Sequence, residues 1–111
     1  EFRRVLFRSL PVVVAHGEGR AMFDQASTVA QAHTVLRFVD HHGQATEAYP
    51  FNPNGSPMGA NGFTTTDGRV TIMMPHPERV FRNVQMSWTD RAVGDASPWM
   101  QVWLNARRWV G

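Results

Sequence analysis

The chain has 111 residues, 42% hydrophobic content and a net charge of +2, enough for one small domain or part of a larger one and too apolar for disorder along its whole length. Its longest apolar runs, such as residues 10–15, fall far short of the roughly 18 residues a membrane-spanning helix needs; no charged segment leads into an apolar leader core, so no membrane partner is expected. Cysteine is absent, which excludes disulfide staples, a thiolate metal cage and cysteine nucleophilic catalysis by these residues alone.

The basic balance, with a pI near 10.4, resides in the first nine residues. Glu1 to Ser9 is identical to the translation of a common sequencing-library adapter and is expected to be non-native, leaving 10–111 as the native part. It carries Arg3, Arg4 and Arg8 against Glu1, and the remaining 102 residues hold eight arginines and eight acids. With no basic patch left, no nucleic-acid partner is expected. If Leu10 is the first native residue, the reading frame is truncated and catalytic parts are expected to be missing upstream.

Leu10 to Ala15, rich in β-branched valine, predicts a strand covered on both faces; it runs into a tight loop at His16-Gly17-Glu18-Gly19. Met22 to Ala32 predicts at most a weak helix, interrupted by Ser27, Thr28 and Val29. Thr34 to Val39 predicts a strand, Asp40 to Gly43 a turn, and Ala45 to Tyr49 a returning strand. Pro50 to Gly62 is too rich in proline and glycine for regular structure at its centre, Asn52 to Pro57. Phe63 to Thr66 leads to an Asp67-Gly68 turn and a second buried strand over Arg69 to Met74. Pro77 is suited to a first helical position, so the pattern reads strand, proline turn, short helix. Thr89 to Ser97 reads as irregular, and Trp88 as cover for a domain edge. Ser97 is expected to cap a final helix that begins at Pro98, with Trp99, Val102, Trp103, Ala106 and Val110 on one apolar face. Four strands and two helices, with chemistry-bearing residues directly after strands, predict the latter part of an α/β domain.

His76 and Glu78 are the strongest chemical candidates. Residues two apart do not share a helix face, but at a strand end turning into a helix both converge outside the carboxyl edge of a sheet. Imidazole is a base near neutral pH, and a carboxylate fixes its tautomer and stabilises the imidazolium. The bland alternative is a helix-favouring Glu78 beside an exposed capping histidine. His16 with Glu18 is a weaker pair, and its carboxylate equally suits the glycine N–H groups of its own loop. Asn52, Asn54, Gly55 and Ser56 offer amide and backbone groups to a polar ligand, or form a rigid Asx-type turn. No histidine spacing supports zinc, and His41 and His42 read as solvated turn residues. The tryptophans of the last helix read as packing.

Taken together, the motifs are far more specific than apart. Leu10-Pro-Val-Val-Val-Ala-His-Gly-Glu-Gly19, Tyr49-Pro-Phe-Asn-Pro-Asn-Gly-Ser56, Asp67-Gly-Arg-Val-Thr-Ile-Met-Met-Pro-His-Pro-Glu-Arg-Val-Phe81, and Ser97-Pro-Trp-Met100 with Asn105-Ala-Arg107 resemble the phosphoribosylformylglycinamidine synthases, and among them the end of the long single-chain form. The resemblance spans residues 10–111. It implies the C-terminal portion of a class I glutamine amidotransferase domain of flavodoxin-like three-layer α/β fold, with a Cys-His-Glu triad in which His76 is the histidine and Glu78 the acid. His16, Gly17, Glu18, Asn52, Asn54, Gly55 and Ser56 fall in loops that the resemblance places at the active-site rim, in a structural role.

The resemblance further implies glutamine as substrate, a synthetase domain upstream in the same chain as partner, and a cytoplasmic place in purine biosynthesis. ATP and magnesium would belong to that synthetase domain, and no cofactor is expected on these residues. The nucleophile is expected upstream of Leu10, so the chain by itself is expected to be catalytically inactive. Met58 and Met86 stand where the family more often has His and Asn, and the Met22 to His33 segment is shorter than usual. Two rivals remain: another class I amidotransferase subunit, and a non-catalytic α/β binding module. A sheet deprived of its leading strands is also expected to leave apolar faces and edges uncovered, making the chain marginally stable.

Overall fold

The computed structural model of the chain describes residues 9–87 and 94–111. Most of the adapter-like segment and Trp88, expected at a domain edge, lie outside the described residues. The chain divides into two compact units, Val14–Pro75 and Glu1–Val13 with His76–Gly111.

The unit Val14–Pro75 contains helix α1 (Ala26–Gln31) and a three-stranded antiparallel sheet of β1 (Thr34–Arg37), β2 (Ala60–Thr64) and β3 (Thr71–Met73), in the order β1-β2-β3. The weak helix predicted over Met22 to Ala32 shrinks to six residues with no side-chain cap at Gln25, as its poor formers dictate. Leu36 lies opposite Gly62, and Gly62 opposite Met73. A Cβ on Gly62 would come within 2.9 Å of the Leu36 side chain, so glycine there lets the leucine lie across the sheet. Phe63 meets Phe23 edge to face at 5.8 Å, while Val29, Phe38 and Ala60 are buried.

Two strand expectations fail in this unit. Ala45 to Tyr49 does not return as a strand: a single Val39–Ala45 bridge forms. The cause is the backbone of Phe38, whose N–H donates to the Gly59 carbonyl at 2.8 Å while its carbonyl accepts from the Thr46 N–H at 3.1 Å. Its two groups serve different segments, so no regular ladder continues. Gly59 permits this approach, since at φ +71° a Cβ would lie 2.7 Å from the Phe38 carbonyl oxygen. The second failure is the buried strand over Arg69 to Met74, which contracts to β3 and is exposed, Ile72 to 64%. As the edge of the sheet, β3 has a paired strand on one side only, and apolar composition does not ensure a covering layer. Ala60 to Gly62, beyond the irregular centre at Asn52 to Pro57, begin β2, ahead of the expected Phe63 to Thr66 segment. The Asp67-Gly68 turn forms as predicted, with the Asp67 carboxylate accepting from the Thr65 hydroxyl at 2.6 Å and the Arg69 N–H at 3.1 Å.

In the second unit, Leu10 to Ala15 forms no extended ladder. Val13 makes one antiparallel bridge to His76, and Pro11 has no N–H to offer a second. The short helix after Pro77 is a single 3-10 turn, Pro77–Arg79, ended by Val80, whose φ −135° leaves the helical region and whose side chain is buried with Met86 in the core. Arg82 and Asp95 pair at 3.2 Å. Another 3-10 turn, Pro98–Met100, runs into helix α2 (Gln101–Val110). Ser97 caps it as expected, its hydroxyl accepting from the Trp99 N–H at 3.2 Å. The apolar face of α2 does not pack: Val102, Trp103, Leu104, Trp109 and Val110 are all exposed.

Among the described residues the architecture is α/β with a small antiparallel sheet and two α-helices. Three strands form among them where four were expected of the chain, and every ladder and bridge among them is antiparallel, so the parallel pairing of a doubly wound sheet is not represented there. No helix among the described residues is long and apolar enough to cross a membrane.

Candidate active site

His76 sits between two buried prolines, Pro75 and Pro77. Proline restricts the residue before it to extended or turn geometry, and His76 takes φ −110°, ψ 79°. Its N–H donates to the Val13 carbonyl at 2.8 Å and its carbonyl accepts from the Arg79 N–H at 3.1 Å. Both backbone groups are thus committed, and the imidazole has a defined origin.

The bend brings Glu78 back onto the ring. His76 Nδ1 lies 2.6 Å from Glu78 Oε1, with the histidine side chain 28% and the glutamate 55% exposed. An ionised carboxylate only accepts, so hydrogen-bond logic assigns the proton to Nδ1 and leaves the lone pair on Nε2. This is the arrangement required of a general base held in one tautomer. The hydrogen bond from His76 is the main cause that holds the Glu78 carboxyl below its usual range, helped by a backbone N–H.

The sign of the pH effect follows. A carboxyl depressed in the folded chain contributes stability above its unfolded pKa of about 4.3, and that contribution is lost as pH falls through the folded value. Carbon-13 titration is therefore expected to place the Glu78 midpoint below the ordinary glutamate range, and His76→Ala is expected to raise it. An unchanged midpoint in that variant would mean the contact does not persist in solution.

The other predicted residues lie in the unit Val14–Pro75, where His16, Asn52, Asn54, Gly55 and Ser56 form a polar knot. Asn52 and Ser56 are almost wholly buried. Asn52 donates through Nδ2 to the carbonyls of Thr46 at 2.9 Å and Ser56 at 3.0 Å, and its Oδ1 accepts from the Gly55 N–H at 2.8 Å. Asn54 Oδ1 accepts from the Ser56 N–H at 3.0 Å and from the Ser56 hydroxyl at 2.7 Å. That orientation makes Asn54 Nδ2 the donor to the Gly19 carbonyl at 3.0 Å and to His16 Nε2 at 3.1 Å. His16 therefore carries its proton on Nδ1, a buried atom without a hydrogen-bond partner among the described residues. The His16 ring fills the space where a Gly19 side chain would begin, 2.0 Å from the position of a Cβ.

The structure thus joins His16 to Asn54 rather than to Glu18. Glu18 and Gly17 are exposed, and no hydrogen bond of the Glu18 side chain occurs among the described residues. Gly55, at φ +73°, closes the Asx turn. Sequence reasoning missed Ala21 and Thr46, and gave Gly19 a place in the tight loop without its contact to the His16 ring. Ala21 donates its N–H to the Ser56 hydroxyl at 3.1 Å, a link between positions 35 residues apart that no local pattern announces. His41, expected to be solvated, packs edge to face on Phe51 at 4.7 Å while staying exposed. Among the described residues, no group of three or more His, Asp or Glu side chains is arranged to hold a metal ion.

These features describe an α/β protein that carries one tautomer-fixed histidine–carboxylate pair on a proline-bounded turn. The chain belongs to the CobB/CobQ-like glutamine amidotransferase domain family, whose model matches residues 2–110.

Proposed function

We propose that this chain carries the histidine and acid of a glutamine-hydrolysing amidotransferase, with the nucleophilic thiol contributed by sequence outside these residues. The 2.6 Å contact between His76 Nδ1 and Glu78 supports this reading best, because it leaves Nε2 to move a proton. A thiolate would add to the side-chain amide carbon of glutamine, with His76 first having taken the thiol proton. His76 then gives that proton to the departing nitrogen, the C–N bond breaks, and ammonia leaves. Water, deprotonated by His76, cleaves the resulting thioester to glutamate and restores the thiol. Glu78 orients the ring and offsets its transient positive charge.

The finer reading is the C-terminal part, residues 10–111, of the glutaminase domain of a phosphoribosylformylglycinamidine synthase, with residues 1–9 foreign to it. The four motif segments in the sequence support it. On this reading ammonia passes to an upstream synthetase domain that uses ATP and magnesium in purine biosynthesis, in the cytoplasm. The loops of His16, Gly17, Glu18, Asn52, Asn54, Gly55 and Ser56 keep a structural role, which the interlocked amides support. A second reading, a binding module without catalysis, is favoured by the absence of cysteine from all 111 residues. A third, another class I amidotransferase subunit, agrees equally with the family; a large ATP-binding region upstream in the parent gene separates it from the long form.

The test is reconstitution. The chain is co-expressed with the cysteine-bearing N-terminal half of a phosphoribosylformylglycinamidine synthase glutaminase domain, and glutamate release from glutamine is measured. Hydrolysis by the pair, with none by either half, is the expected result. A stable complex without hydrolysis would favour the binding module.

A further inference from the structure

We infer that Ser97 and Trp99 are positioning residues for His76, holding the turn that bears it from both sides. The functional meaning of this role rests on the glutaminase reading, whereas its geometry stands in the chain itself.

A helix cap needs only the bond from the Trp99 N–H to the Ser97 hydroxyl. Three further bonds of Ser97 and Trp99 leave the capped turn, and all three reach segments that flank His76. On the C-terminal side, the Ser97 N–H donates to the Phe81 carbonyl at 2.7 Å, and the Ser97 hydroxyl donates to the Val80 carbonyl. These two carbonyls follow directly on the 3-10 turn Pro77–Arg79, which is itself closed by the Val80 N–H donating to Pro77 at 3.1 Å. Ser97 is 3% exposed, so water cannot readily replace these bonds.

On the N-terminal side, the Trp99 indole N–H donates to the Pro11 carbonyl at 2.7 Å. Two residues on, the Val13 carbonyl accepts the N–H of His76. Residues 11–13 form no ladder that would hold them, because the Val13–His76 bridge is isolated. Among the described residues, the indole therefore anchors the short segment against which the His76 backbone is fixed. An indole nitrogen donates only and a serine hydroxyl has one proton, so each group is fully committed. The same Ser-Pro-Trp segment thus ties the last helix to both strands of chain that define where the imidazole starts.

The test uses the chain itself, labelled with nitrogen-15, so that it does not depend on hydrolysis. Two signals are read: exchange of the His76 backbone amide, and the His76 tautomer from two-bond proton–nitrogen couplings. Trp99→Phe keeps a ring and removes the donor; Ser97→Ala removes the hydroxyl and Ser97→Thr retains one. Trp99→Phe and Ser97→Ala are expected to speed His76 amide exchange by about fivefold, the change that loss of one net hydrogen bond produces, and to mix the two tautomers. Ser97→Thr is expected to match the unmodified chain. The Phe38 amide, bonded to Gly59, serves as control and is expected to hold its rate. Trp99→Phe leaving both His76 signals unchanged in a folded chain would overturn the inference, and so would a parallel rise at Phe38, which would mark a general loss of stability. Absent hydrolysis on reconstitution, with these shifts present, would remove the glutaminase reading and leave the positioning role standing.

Discussion

Replacing His76 with alanine is expected to lower glutamine hydrolysis by the reconstituted domain about 10²–10⁴-fold, the usual worth of a positioned general acid–base. The loss is expected in kcat with little change in KM, because the ring acts on protons that move only as bonds change. Glu78→Gln is the informative partner. A carboxamide oxygen still accepts from Nδ1–H, so the tautomer survives, but the negative charge that stabilises the imidazolium is gone. A smaller loss than for His76→Ala is therefore expected, measured as steady-state glutamate release at saturating glutamine. Unchanged kcat in His76→Ala would move proton transfer to another group and leave the 2.6 Å contact as a structural ion pair.

This turn is legible in the sequence for a physical reason. Two prolines around one histidine leave its backbone few conformations, and a 3-10 turn started by Pro77 returns Glu78 to the ring. The cap at Ser97 is legible on the same grounds, since Ser-Pro before an apolar-periodic run uses local bonds only. The Asx turn at Asn52 to Ser56 follows from amides that reach backbone groups two to four residues away. In each case the energy that decides the conformation lies within a few residues of the chain.

Where non-local partners decide, the residues alone mislead. The valines of residues 12–14 report a preference for extended backbone, but a strand also needs a neighbour, and only Val13 finds one. Val70 and Ile72 report the same preference and lie exposed at a sheet edge. The stripe on α2 follows helical periodicity faithfully, yet Trp109 and Val110 remain 82% and 76% exposed, because periodicity specifies a face and not what covers it. His16 is the clearest instance. Its nearest acid in sequence is Glu18, whereas its hydrogen bond goes to Asn54, 38 residues away, once Gly19 has made room for the ring.

That polar knot carries the second large effect. Asn52 is 2% exposed and all three of its amide bonds go to backbone groups of Thr46, Gly55 and Ser56. Asn52→Ala strands these backbone groups in a site too buried for water to reach freely, and is expected to cost about 3 kcal/mol. Such a loss is a large fraction of the total stability of a small domain. Asn52→Asp discriminates the cause: it keeps the acceptor for the Gly55 N–H but turns a carboxylate oxygen towards two carbonyls, and buried charge without a partner is costlier still. All four tryptophans lie beyond residue 87, so their fluorescence does not report directly on this loop. Exchange of the Thr46 amide, which donates to Phe38, is the suitable probe, with an expected rise of roughly 10²-fold for Asn52→Ala. If Asn52→Asp instead exchanges like the unmodified chain, the two donated bonds contribute little and the turn is held by Gly55 and Asn54 alone.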